Sequence, residues 1–132
     1  MNKIVARFAD GRIVKGTTVD FLPAKDRLHL REVNAPAGTK PVEILTADLK
    51  ALIFVKDFAG DPQHVERNEF DPAHAPSATP IRVAFKDGEV LVGATTGYRP
   101  GRPGLFVTPA DPTSNIDRCW VVAAATQGIN LL

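Results

Sequence analysis

Apolar and polar positions alternate with a period of two in short runs along most of this chain, the pattern of half-buried β-strands rather than helices. The first run, Lys3–Phe8, ends at Asp10-Gly11, a pair that tolerates the positive φ of a tight hairpin. A longer run, Arg12–Leu22, carries Gly16 in its interior, where a missing side chain permits a sharp bend. It stops at Pro23, which cannot donate to a ladder. Arg27–Glu32 follows, with Leu28 and Leu30 on one face and His29 on the other, and then Pro41–Leu45 and Leu52–Val55. The series then starts again. Ile81–Lys86, Asp87-Gly88, Glu89–Arg99 with Gly93 and Pro100, Gly104–Thr108, Arg118–Val122 and Ile129–Leu132 repeat it in the same order.

A shift of 77 positions aligns residues 3–55 with 80–132 without a gap. Ile4 meets Ile81, Phe8 meets Phe85, Gly16 meets Gly93, Thr18 meets Thr95, Leu28 meets Leu105 and Ala47 meets Ala124. The chain is an internal duplication: copy 1 spans 1–55, a connector 56–79, and copy 2 80–132. Each copy, of about 53 residues, sits near the lower limit for a self-sufficient core, so the two are expected to pack on each other as a pseudo-two-fold pair. The predicted fold class is all-β, two tandem five-stranded small β-barrels.

Charge adds one detail to this picture. The whole chain is +1, which leaves no global field to draw nucleic acid or an anionic membrane. The connector differs, with five acids against Lys56 and Arg67, a net of −3, and copy 1 is basic enough for the connector to lie across it. Asp61 as N-cap and Pro62 at the first helical position predict a short helix near residues 63–68. Pro72, Pro76 and Pro80 then call for an extended run into copy 2. The single cysteine, Cys119, rules out an internal disulfide, and no apolar stretch is long enough to span a membrane. A soluble cytoplasmic protein is the expectation.

Phe8-Ala9-Asp10-Gly11 with Gly16, and Phe85-Lys86-Asp87-Gly88 with Gly93, resemble the Sm-like fold: a strand, a tight turn and a bent second strand. Residues 49–58 and 104–112 resemble an uncharacterised bacterial domain family built of tandem small β-barrels. Sm relatedness would imply RNA binding, yet the residues that carry it are replaced. Asp26-Arg27 and Pro103-Gly104 stand before and at the third strand, and Thr46-Ala47-Asp48 and Ala123-Ala124-Ala125 follow the fourth. Neither copy has the asparagine or the arginine of an Sm site.

Candidate chemistry is sparse. His29, His64 and His74 are scattered without metal-ligand spacing, so no metal is implied. Cys119 stands where copy 1 has Val42, which favours a buried, inert thiol over a nucleophile. Arg27 and Arg31 match the arginine spacing of cyclic-dinucleotide-binding PilZ domains, but they lie within a strand and lack the companion element. Asp10 and Asp87 are turn residues. No triad and no phosphate-cradling loop is present, so no enzyme and no cofactor is predicted.

The informative positions are those at which the copies disagree. Trp120 replaces Glu43 and Phe106 replaces His29, which places two aromatics on the outward face of copy 2 alone. Such a pair either meets a partner or is covered by copy 1 or by Phe58 or Phe70 of the connector, and covering within the chain is favoured. With Arg99, Arg102, Asn115 and Arg118 of the neighbouring loops, Phe106 and Trp120 form the candidate interaction surface. The predicted function is a non-enzymatic protein-interaction or regulatory module with a protein partner, and edge strands offer a route to homo-oligomers. RNA binding is the alternative.

Overall fold

The computed structural model describes residues 2–60, 63–70 and 78–132. Ten strands follow the chain: β1 (Asn2–Phe8), β2 (Ile13–Thr18), β3 (Arg27–Glu32), β4 (Val42–Leu45), β5 (Leu49–Val55), β6 (Thr79–Phe85), β7 (Val90–Thr95), β8 (Gly104–Pro109), β9 (Ile116–Val122) and β10 (Thr126–Leu131). A single 3₁₀ turn, Thr46–Asp48 or Ala123–Ala125, precedes the last strand of each copy. Among the described residues there is no α-helix. The helix predicted near 63–68 is absent from the described 63–70, whose backbone instead lies against copy 2; Asp61 and Pro62 lie outside the described residues.

The copies repeat one another down to individual backbone hydrogen bonds. Gly11 N–H donates to Phe8 O and Gly88 N–H to Phe85 O, both at 3.0 Å, with the glycines at φ 97° and 95°. The side chains of Asp10 and Asp87 each accept the N–H two residues on, from Arg12 and Glu89. Gly16 and Gly93 mark the bend. A Cβ there would lie 2.2 Å from the carbonyl oxygen of Arg31 or Thr108, so only glycine lets β2 and β7 pass this close to the next strand. Both strands are shorter than predicted, because the chain leaves the sheet after Thr18 and Thr95.

All ten strands form one antiparallel sheet in the order β10-β6-β7-β8-β9-β5-β1-β2-β3-β4. This corrects the expected architecture in two respects. The sheet is open, so neither copy closes on itself as a separate barrel. In addition, the copies are not related as a two-fold pair. In a two-fold pair, equivalent strands would meet each other. Here β9, the fourth strand of copy 2, pairs with β5, the fifth strand of copy 1, which is a head-to-tail junction. The physical reason lies in β5. Six of its seven residues are buried, so it needs cover on both faces, which its own copy does not supply.

Two cores result, and each borrows from the other copy. Ile4, Ala6, Phe8, Leu28, Leu30, Ile44, Leu49, Leu52 and Phe54 of copy 1 enclose Trp120 and Val122 of copy 2. Ile81, Val83, Phe85, Leu105, Val107 and Val121 of copy 2 enclose Ala51 and Ile53 of copy 1. Ionic contacts add to this exchange. Lys50 is buried in copy 1 and places Nζ 2.6 Å from Asp87 Oδ2 and 4.7 Å from the centre of the Phe85 ring. Arg7 makes a bidentate contact with Glu89 from 2.9 Å.

The connector does not simply cover copy 1 as its charge suggested. Lys15 Nζ reaches the carbonyl of Phe58, but the denser contacts are with copy 2. Asp57 and Asn115 exchange hydrogen bonds in both directions, at 3.0 and 2.8 Å, and the Arg67 N–H donates to Asp111 at 3.0 Å.

Candidate functional site

Beside the β9–β5 junction the surface opens into a cleft of about 420 Å³. Trp120 and Val122 contribute its floor, and small apolar residues (Pro23, Ala24, Ala47, Pro103, Ala123 and Ala124) form the walls. Lys25, Asp26 and Arg102 bring charge to it. The cleft is a product of the head-to-tail arrangement. Its sides come from the loops following β2 and β7 and from the two 3₁₀ turns, both pairs of which the shift of 77 relates.

Trp120 takes its position from a paired substitution. Its indole lies over Gly104, where an added Cβ would approach ring atoms at 2.6 and 2.7 Å. At the equivalent positions of copy 1, Arg27 and Glu43 form a salt bridge of 3.1 Å. Removing the arginine side chain therefore creates the space that the tryptophan fills.

The predicted surface residues divide into three groups. Trp120 is 7% exposed, and Phe106 is half-buried with its ring 4.9 Å from the indole. Phe21 of copy 1 packs on both, with centroids 5.8 Å from Trp120 and 6.2 Å from Phe106, and Phe54 packs on Phe106 at 6.1 Å. Most of this aromatic surface is therefore covered within the chain, and the remaining exposed part of Trp120 faces the cleft. Arg118 stacks on Phe54 and Phe106, 4.4 and 4.5 Å from the ring centres, and Asn115 is held by the connector. Arg99 and Arg102 remain exposed, but only Arg102 lines the cleft.

The remaining candidates also find local partners. His29 bonds through Nδ1 to Asp20 at 2.7 Å. Burial pushes the Asp20 carboxyl up, but the His29 backbone N–H, its ring and the Thr18 hydroxyl outweigh that and hold the group below its usual value. Arg27 pairs with Glu43, and Arg31 donates to the Thr39 carbonyl. Cys119 is buried, and desolvation pushes its thiol up to about 12, the opposite of what a nucleophile requires. His74 lies outside the described residues. Spacing in the sequence did not reveal one grouping: the fold brings His64 and Glu66 of the connector against Asp111 of copy 2.

A duplicated, open antiparallel sheet with a cleft at the seam between its halves defines the class to which this fold belongs. The chain belongs to DUF6982, a family of unknown function whose pattern it matches over residues 1–132. No curated protein and no solved structure matches it. Among the described residues, no helix is long and apolar enough to cross a membrane.

Proposed function

We propose that the chain is a non-enzymatic protein-interaction module that docks an extended peptide segment in the cleft between its two copies. The cleft itself carries this reading: an apolar floor of Trp120 and Val122, bordered by Lys25 and Arg102 against the single acid Asp26. An apolar side chain flanked by a carboxylate complements that lining in both shape and charge. The cleft has no nucleophile paired with a base, and the thiol of Cys119 is both buried and unactivated. Both points support binding rather than catalysis. The RNA alternative has less support, because stacking platforms need free aromatic faces and here Phe54 and Phe106 are occupied by Arg118. Self-association through the free edge strands β4 and β10 is also disfavoured. Glu43 and Asn130 stand there in place of Trp120 and Ile53 of the junction.

Trp120 is the only tryptophan, so its fluorescence reports on the cleft directly. Peptides selected on the protein from a random library should be enriched in an acid next to an apolar residue and should shift the Trp120 emission. Ala124 is exposed on the cleft wall, and Ala124→Arg should fill the cleft without touching the core. That variant and Arg102→Glu should each weaken the selected peptides by about tenfold or more, about 1.4 kcal/mol of binding. Peptides that bind both variants as well as the parent protein would show that the docking site is elsewhere.

A further inference from the structure

We propose that His64, Glu66 and Asp111 form a binding site for a divalent first-row transition-metal cation, which fastens the connector to copy 2. This inference is independent of the docking cleft. The ligand atoms of the three residues all lie within 4.8 Å of one another. His64 Nε2 is 3.0 Å from Asp111 Oδ2 and 3.3 Å from Glu66 Oε2. These two separations from the imidazole match those of neighbouring ligands around a metal with bonds of about 2.1 Å, roughly 3.0 Å apart in an octahedron and 3.4 Å in a tetrahedron. Glu66 and Asp111 need only close to within about 4.2 Å of each other to share the ion.

The alternative is an imidazolium clasped by two carboxylates, and the local geometry fits it poorly. His64 Nε2 and Glu66 Oε1 are both buried atoms, yet among the described residues neither has a hydrogen-bond partner. The ring nitrogen is close to two carboxylate oxygens but is directed along a hydrogen bond to neither. Glu66 therefore has one oxygen beside the imidazole and a second, buried oxygen with nothing to bond among the described residues. A buried group left in this state is costly unless something completes it.

Asp111 is prepared as a ligand. Its side chain is fully buried, and Oδ1 accepts the N–H and hydroxyl of Thr113, at 2.9 and 2.7 Å. Oδ2 accepts the Arg67 N–H at 3.0 Å and lies 3.0 Å from His64 Nε2. Supporting bonds of this kind orient metal-binding carboxylates. The charged groups around the cluster are Lys56, Asp57 and Arg67, whose Nη2 is 3.7 Å from Asp111 Oδ1. With a neutral imidazole, the three ligands carry two negative charges, which suits a divalent ion. A cavity of about 300 Å³ bordered by His64, Glu66, Thr113 and Asn115 adjoins the cluster. Copy 1 has no counterpart, because Asn34 occupies the position of Asp111.

The test uses the full chain after chelator treatment, titrated calorimetrically with Zn²⁺ and then with Mn²⁺. One Zn²⁺ per chain should bind, more tightly than Mn²⁺, and should raise the melting temperature. His64→Ala and Glu66→Gln change half-buried connector residues, so both variants should fold, and each should weaken zinc by at least ~10-fold. Nitrogen chemical shifts of the His64 ring should report a metal-bound Nε2. His29→Ala, at a second histidine–carboxylate contact among the described residues, should bind zinc as the parent does. Absence of zinc binding, or binding that survives His64→Ala, overturns the proposal. So does binding lost on His29→Ala.

Discussion

Strands β9 and β4 occupy the same place in their copies, yet β9 lies in the middle of the sheet and β4 lies at its edge. The difference can be traced to a few residues. β9 presents Trp120 and Val122 to the core of copy 1, and Gly104 on the adjacent strand leaves room for the indole. β4 presents Glu43 and Leu45 at those positions, and Arg27 replaces the glycine and pairs with Glu43. The same contrast holds for the two fifth strands. β5 sends Ala51 and Ile53 into the core of copy 2, whereas β10 has Gly128 and Asn130. Duplication supplied two copies of a surface able to join head to tail. Substitution gave one pair of edges apolar residues that the junction buries and left polar residues on the other pair, β4 and β10, which are the outer strands of the ten.

The largest expected effect tests the junction edge. Trp120→Ala removes the side chain that copy 2 lends to the core of copy 1 and should destabilise the protein by about 3–5 kcal/mol in denaturant unfolding. Glu43→Ala at the equivalent position should change stability by no more than ~0.5 kcal/mol. Equal effects would mean that the junction does not depend on the indole. An intermediate effect is expected at the space beneath it. Gly104→Ala drives a methyl group into the Trp120 ring and the Val121 carbonyl and should cost about 1–3 kcal/mol, whereas Arg27→Ala should be nearly neutral.

The smallest effect concerns Cys119, which faces the copy 2 core where Val42 stands in copy 1. Cys119→Val should alter stability at neutral pH by less than ~1.5 kcal/mol. Its signature is alkaline. A thiol whose folded pKa is raised contributes stability that is complete below the unfolded value, near 8.5, and is lost as pH rises toward the folded value of about 12. Unfolding curves between pH 8 and 10.5 should therefore show a loss for the parent protein that is absent in Cys119→Val. Parallel curves would indicate that the thiol is hydrated.

Much of this fold is legible in the amino-acid sequence. The alternation, the Asp-Gly turns and the interior glycines are local rules that act over a few residues. They place each strand to within a few positions and reveal the two copies. The disagreements between the copies were equally visible as Trp120 against Glu43 and Phe106 against His29. Their meaning was not, because an aromatic on the outer face of a strand reads the same whether solvent or another copy lies beyond it. The site residues fared less evenly for the same reason. Arg102 stays at an open cleft, while Asn115 and Arg118 are taken up by the connector and by Phe54 and Phe106.

By itself the sequence determined the strands, the turns, the bend at each glycine and the fact of duplication, all set by backbone sterics and side-chain alternation between near neighbours. Only the tertiary structure decided how the copies meet. That choice depends on which strand edge can bury its outer face, a balance struck between residues far apart in the chain. It put β9 against β5, opened a cleft at the seam, and brought His64 and Glu66 to Asp111. No short-range pattern records any of the three, because each needs two surfaces to exist before their complementarity has consequences.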